Sequence, residues 1–356
     1  MPDTHIVTNQ VPPLRNYNPA TSPVLVEALI REGGQWGIDE VTELGALSGS
    51  PQAQRWGELA DRNRPVLHTH DDYGHRVDEV EYDGATAWLV GEEGRGVPTI
   101  IEMVNLTRLD CTLGSATSMR SGLTRAIHHA QHRKAFGAYL IDQPLMRNVL
   151  TDLAVEAEAA TIVAMRMAGA TDNAVRGDET EALLRRIGLA ASKYWVCKRA
   201  TPHAAEAMEC LGGNGYVEDS GMPRLYREAP LMGIWEGSGN VSALDTLRAM
   251  ATRPECVDVL FDELAKTKGQ DPRLDAHVDA LKPALEDLET IQYRARKIAE
   301  DISLSLQGSL LVRHGHPAVA EAFLATRMGG AWGGAFGTMP TGLDLAPILE
   351  RAMVKG

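Results

Sequence analysis

From Val97 to about Met250 apolar residues recur at spacings of three and four, and no other feature restricts the fold of this chain so strongly. Leu145, Val149, Leu153, Val155 and Ala159 mark one such stripe; Leu183, Leu184, Ile187, Ala191, Tyr194 and Trp195 mark another. Stripes of this kind turn one face of each helix toward a shared core. The pattern breaks at Phe136-Gly137, from Asp172 to Gly177, from Gly212 to Pro223 and from Pro230 to Gly239, leaving helices of bundle length. The spacing therefore predicts a mainly α chain with a four-helix bundle over 97–253.

The flanks read differently. Residues 1–79 are interrupted by Pro12-Pro13, Pro19, Pro23, Pro51 and Pro65, with a helix expected near Val24 to Glu32 and a polar stretch from His68 to Asp78. Such a segment resembles an arm that packs on something else. Over 80–96, Val80 to Val90 reads as a short strand, turn and strand, and the turn Gly91 to Gly96 opens the first long helix. Beyond Arg253-Pro254 helical patterns return in Val257 to Ala265, in Leu274 through Leu310 and in Ala318 to Met328, before a Gly-rich tail. Residues 254–356 are thus expected to form an appended helical domain.

Composition narrows the partners. With 44% apolar and 23% charged residues the 356-residue chain has material for a core, which excludes disorder, collagen and a disulfide scaffold. A net charge of −13 opposes phosphate backbones and anionic bilayers, and from Glu255 to the end the 15 acidic residues outnumber the 11 basic ones. Nucleic acid is disfavoured as a partner. No stretch approaches the roughly 18 apolar residues of a spanning helix, and the first residues hold neither a basic nor an apolar region, so a cytoplasmic location is expected. Cys111, Cys197, Cys210 and Cys256 lack C-x-x-C spacing and read as reduced, buried thiols. His128 and His132 stand at i and i+4 without the Glu of H-E-x-x-H, so no metal site is expected. Neither a P-loop nor a G-x-S-x-G elbow is present.

Two motifs remain, each with two readings. Glu209-Cys210-Leu211-Gly212-Gly213-Asn214-Gly215-Tyr216 is either a helix cap and turn or a place where backbone amides approach a phosphate or a flat ring. Ile234-Trp235-Glu236-Gly237-Ser238-Gly239-Asn240 sets a carboxylate beside a large ring just before a helix beginning near Ser238 or Gly239. Burial against Trp235 would raise the Glu236 carboxyl toward the range of a general base. The alternative is an exposed Glu ahead of an N-cap serine.

Taken in order, Gly91 to Gly96, Arg108, Arg133-Lys134-Ala135-Phe136-Gly137, Gln143-Pro144, Leu211 to Tyr216 and Trp235 to Asn240 resemble the C-terminal half of the acyl-CoA dehydrogenase flavoproteins. Thr107-Arg108-Leu109-Asp110, Pro223 to Glu228, the extension beyond Pro254 and the arm near Thr4 to Trp36 are most similar to the AidB-like branch of that family. The resemblance implies a family-type helical bundle, FAD as cofactor and an acyl-CoA substrate. It implies Glu236 as the base that removes an α-proton while hydride leaves the β-carbon for the flavin. Arg133, Phe136 and Gln143 correspond to residues reaching the flavin of a neighbouring subunit. Gly212 and Gly213 correspond to a turn packed on its adenine and pyrophosphate side, Ser238 and Asn240 to contacts following the base, and Arg108 to a residue near the CoA moiety. A homo-oligomer or a complementary chain is then required.

The departures are specific. Ala135 replaces a common hydroxyl residue, Glu209 a common Gln, and Asn240 another Gln. The family's middle β-domain, with its Thr-Glu-containing segment against the flavin ring, has no counterpart between Arg76 and Trp88, which implies an internal deletion with its junction near Glu81 to Gly84. The expectation is a retained oligomerising bundle with little dehydrogenase activity in the chain by itself. The rival readings are a non-catalytic oligomerising module and DNA binding, the latter resting on no more than Arg294, Arg296 and Lys297.

Overall fold

The apolar stripes become long helices in the computed structural model, which describes residues 66–68, 79–81 and 91–354. α1 (Gly96–His132) runs into a two-residue hairpin of β3 (Lys134–Ala135) and β4 (Ala138–Tyr139), and is followed by α2 (Pro144–Val175) and α3 (Glu179–Glu209). The short α4 (Gly213–Tyr216), α5 (Met222–Met232) and α6 (Gly239–Thr252) complete the predicted bundle region. Upstream, β1 (Val66–His68) pairs antiparallel with β2 (Glu79–Glu81) in the first of two units, Met1–Thr99. The expected helix at Val24 to Glu32 and the Tyr82 to Val90 part of the strand reading lie outside the described residues.

Local chemistry explains the breaks. Pro144 opens α2, where its missing N–H costs nothing. Gly177, with φ 96°, ends that helix, and Asp178 caps the next by accepting from the Glu181 amide at 3.0 Å. α3 is central: every residue from Ile187 to Cys197 is buried, the mark of a helix enclosed on all sides.

The appended region departs from expectation in two ways. α9 (Ala295–His314), which follows α7 (Glu255–Ala265) and α8 (Pro272–Glu286), is buried from Ile302 to Leu311 and packs on α2, α3 and α6. Residues beyond Pro254 therefore share one hydrophobic core with the bundle. Moreover, the run read as continuous from Leu274 to Leu310 breaks after Glu286, where Asp287 accepts from the Thr290 hydroxyl at 2.8 Å and turns the chain.

After α10 (Pro317–Phe323), the Gly-rich tail is clasped to α2. Asn148 exchanges two hydrogen bonds with the Met339 backbone, and Asp152 accepts from the Gly337 amide. Gly337 (φ 79°) admits no side chain, because a Cβ would meet Val149 at 2.5 Å. Arg327 pairs with buried Asp152 and Glu156, while Arg199 lies against the rings of Trp332 and Phe336. Beside this network His203 is fully buried, its Nε2 3.0 Å from the Leu153 carbonyl.

Burial holds the His203 imidazole down to about 4 from an ordinary 6.5. Above pH 6.5 the ring is neutral folded or unfolded; between 6.5 and 4 only the unfolded chain takes the proton, so stability falls as pH falls. Glu156 adds its own loss only below 4.5: burial raises its pKa, but Arg199 and Arg327 outweigh that and hold it at about 2. Urea titrations from pH 7 to 4 should show a loss of up to about 3 kcal/mol from this imidazole, and His203→Gln should flatten the upper part of that slope.

Candidate functional site

Three consecutive peptide carbonyls, those of Trp235, Glu236 and Gly237, define the geometry between α5 and α6. Lys193 of α3 donates to Trp235 O at 2.9 Å and to Gly237 O at 2.5 Å, and Arg108 of α1 donates through Nε to Glu236 O at 3.0 Å. The Ser242 hydroxyl also donates to Gly237 O. Arg108 is itself anchored to Asp245 at 2.7 Å, and Arg186 grips both oxygens of the same carboxylate. Burial raises the Asp245 pKa, but Arg186 and Arg108 outweigh it and hold the carboxyl below its usual range.

The backbone that carries these carbonyls is unusual. Glu236 has φ 57° and Gly237 φ 103°, both in the left-handed region. A Cβ at Gly237 would meet Val241 at 2.9 Å and Arg108 at 3.3 Å, so the position is reserved for glycine, whereas Glu236 bears real strain. The dry setting expected for Glu236 is not formed by the described residues: the side chain is half-buried, and Trp235 and Ile234 beside it remain 47% and 62% exposed. Ser238 is the N-cap residue of α6, and the Asn240 side-chain oxygen accepts from Arg296 of α9 at 2.8 Å.

A second cluster lies at the far end of α1. Arg133, Gly212 and Gly213 line one cleft of about 340 Å³ with His129, Leu140, Glu209 and Asn214. An adjoining cleft of about 630 Å³ is lined by Arg125, His128, His132 and Arg133. Phe136 does not enter the core; it stands 97% exposed at the tip of the β3–β4 hairpin. Both tip residues have positive φ, 53° at Phe136 and 84° at Gly137, as a type I′ turn demands. Gln143 braces this hairpin from behind by donating to Ala135 O at 3.3 Å.

The predicted residues thus fall into two groups, Arg108, Glu236, Ser238 and Asn240 at one end and Arg133, Phe136, Gln143, Gly212 and Gly213 at the other. The 24 helical residues separating Arg108 from His132 correspond to about 36 Å. Arg108, placed near the CoA by resemblance, is 5% exposed and committed to Glu236 O and Asp245. Sequence reasoning missed Lys193, Asp245 and Arg186. A visible signal existed for the first, a lone charge inside Leu189-Ala190-Ala191-Ser192-Lys193-Tyr194-Trp195. All four cysteines are free and buried. Among the described residues no cluster of three metal-ligating side chains occurs, and no helix is long and apolar enough to cross a membrane.

Parts of the chain match known proteins. Residues 94–251 match the C-terminal domain of acyl-CoA dehydrogenases, and residues 9–93 match the N-terminal domain of the adaptive response protein AidB. AidB of Escherichia coli (strain K12) is 42% identical over 245 residues, 69% of this chain and 44% of the relative. Acyl-CoA dehydrogenase family member 11 of Caenorhabditis elegans is 31% identical over 295 residues, 76% of this chain and 46% of the relative. The crystal structure of Caenorhabditis elegans ACDH-11 in complex with C11-CoA superposes with a TM-score of 0.62 at 28% identity, covering 69% of this chain and 46% of that one. Residues 94–251 are thus a C-terminal domain of the acyl-CoA dehydrogenase family, preceded by a stretch that matches the AidB N-terminal domain. The chain is AidB-like, although it spans about half the length of these relatives.

Strain at Glu236 has a thermodynamic signature. Glu236→Gly should raise stability in urea by about 1 kcal/mol, against the usual direction for glycine, because the left-handed penalty disappears. A loss of stability would contradict the strained assignment.

Proposed function

We propose that this chain is a subunit of an FAD-dependent dehydrogenase of acyl-CoA thioesters, with Glu236 as the base and each flavin site completed by two chains. The observation that supports this most is Glu236 itself, a carboxylate residue in left-handed backbone whose own carbonyl and both adjacent carbonyls are held by buried donors. Strain of this sort persists only where the surroundings over-determine it, and it concentrates at catalytic positions. A positioned carboxylate can take the α-proton of a thioester as the β-hydride departs. When bound, FAD supplies the acceptor for that hydride.

The second cluster fits the adenine and pyrophosphate side of such a cofactor. At Gly212 and Gly213 a Cβ would stand in open space, with no atom beyond the local backbone within 4 Å, and Arg133 offers a cation to the same cleft. About 32 Å along α1 separates His129, which lines this cleft, from Arg108, farther than one dinucleotide spans. The half-sites of one chain therefore serve two flavins, with Phe136 and Gln143 presented toward a neighbour in a homo-oligomer or a complementary chain. Ser238 and Asn240 act with the base, and Arg108 holds the loop.

A second reading, a non-catalytic oligomerising module, is favoured by the exposure of Trp235 and Ile234, which leaves the loop unenclosed. One experiment separates the two. The purified chain is incubated with FAD, freed of excess, and titrated anaerobically with short-, medium- and long-chain acyl-CoA thioesters while its visible spectrum is recorded. The dehydrogenase reading predicts bound oxidised flavin that bleaches with thioester, roughly 10²- to 10⁴-fold more slowly in Glu236→Gln. A colourless chain that takes up no FAD would leave the module reading standing.

A further inference from the structure

We infer that Lys193 is a positioning residue that imposes the left-handed backbone of Glu236, an assignment that rests on the reading of Glu236 as the base. Lys193 is 1% exposed, inside the enclosed stretch of α3. Burying an ammonium group is costly and is ordinarily compensated by a carboxylate. Among the described residues Lys193 makes no ion pair; its partners are two backbone carbonyls, Trp235 O and Gly237 O, more than forty residues along the chain.

Those two carbonyls flank the residue with φ 57°. With Glu236 in the left-handed region both flanking carbonyls face Lys193, and each of these inward carbonyls needs a donor. A single ammonium group with several N–H donors satisfies both at once. An apolar side chain at 193 would remove that donor and with it the reason for Glu236 to stay strained. Arg108 takes the middle carbonyl but is anchored independently by Asp245, so it braces the loop without requiring the flanking peptides to turn. Burial also lowers the Lys193 pKa, consistent with a group kept for geometry in the face of its solvation cost.

A double-mutant cycle tests the hold directly, without flavin or turnover. Glu236→Gly and Lys193→Met are made singly and together, and unfolding in urea is measured for each. If Lys193 enforces the strain, Glu236→Gly raises the folding constant about five-fold in the parent chain and leaves it unchanged in the Lys193→Met background. In 5-fluorotryptophan protein, the Trp235 resonance, assigned by Trp235→Phe, shifts in Lys193→Met while those of Trp195 and Trp332 stay in place. An equal five-fold gain in both backgrounds, with an unmoved Trp235 resonance, overturns the inference. Should Lys193→Met not fold, Lys193→Gln enters the same cycle, with a partial loss of the gain expected and an undiminished gain counting against the assignment. Failure of the base assignment is read separately: Glu236→Gln that bleaches flavin as fast as the parent removes Glu236 from catalysis, while the cycle continues to report on Lys193.

Discussion

Two cations that have left water, the Lys193 ammonium and the Arg108 guanidinium, are solvated by the carbonyls of Trp235, Glu236 and Gly237, and much of the molecule is arranged around that exchange. Neither cation could be carried so deep by a loop, because burying a charge requires donors and acceptors fixed in advance. The enclosed middle of α3 and the packed face of α1 supply that rigidity. In return the 235–237 backbone is pinned in a conformation it would not choose, which fixes where the Glu236 side chain emerges. α9 contributes from the segment beyond Pro254, through Arg296 on Asn240. The extension is therefore part of the support of the site as well as part of the core.

The length of α1 has a separate consequence. One helix carries Arg108 near its beginning and delivers Arg133 and the Phe136 hairpin just past its end, so any compact ligand meets one group or the other within a chain. Phe136 stands exposed at the tip of a type I′ turn whose two residues both have positive φ; under the proposed shared site, this ring is what one chain presents to its neighbour.

Helix existence, the principal breaks and both loop motifs were legible because they depend on local rules: apolar spacing for the stripes, Pro144 and Gly177 for the ends of α2, and the small residues around Gly212 and Gly237 for close approach. What escaped depends on contacts remote in sequence. Lys193 meets its carbonyls across more than forty residues, and Asn148 and Asp152 reach the tail across nearly two hundred. Periodicity could not reveal that α9 would be enclosed, because a helix buried all round differs little in pattern from a weakly amphipathic one. The spacing alone marked Phe136-Gly137 only as a break between helices, so the degree of exposure of the ring was not legible from it.

Complementation between two defective chains tests the shared site most directly. An Arg133→Ala, Gly212→Val chain, damaged in the cleft, is mixed after co-refolding with a Ser238→Val, Asn240→Leu chain, damaged beside Glu236, and bound flavin is measured by absorbance. A site built from two chains predicts that neither variant alone holds flavin and that the mixture recovers about a quarter of the parent's flavin in a dimer, where hybrids carry one intact site. A mixture that binds no more flavin than its components, while light scattering confirms hybrid oligomers, would contradict it.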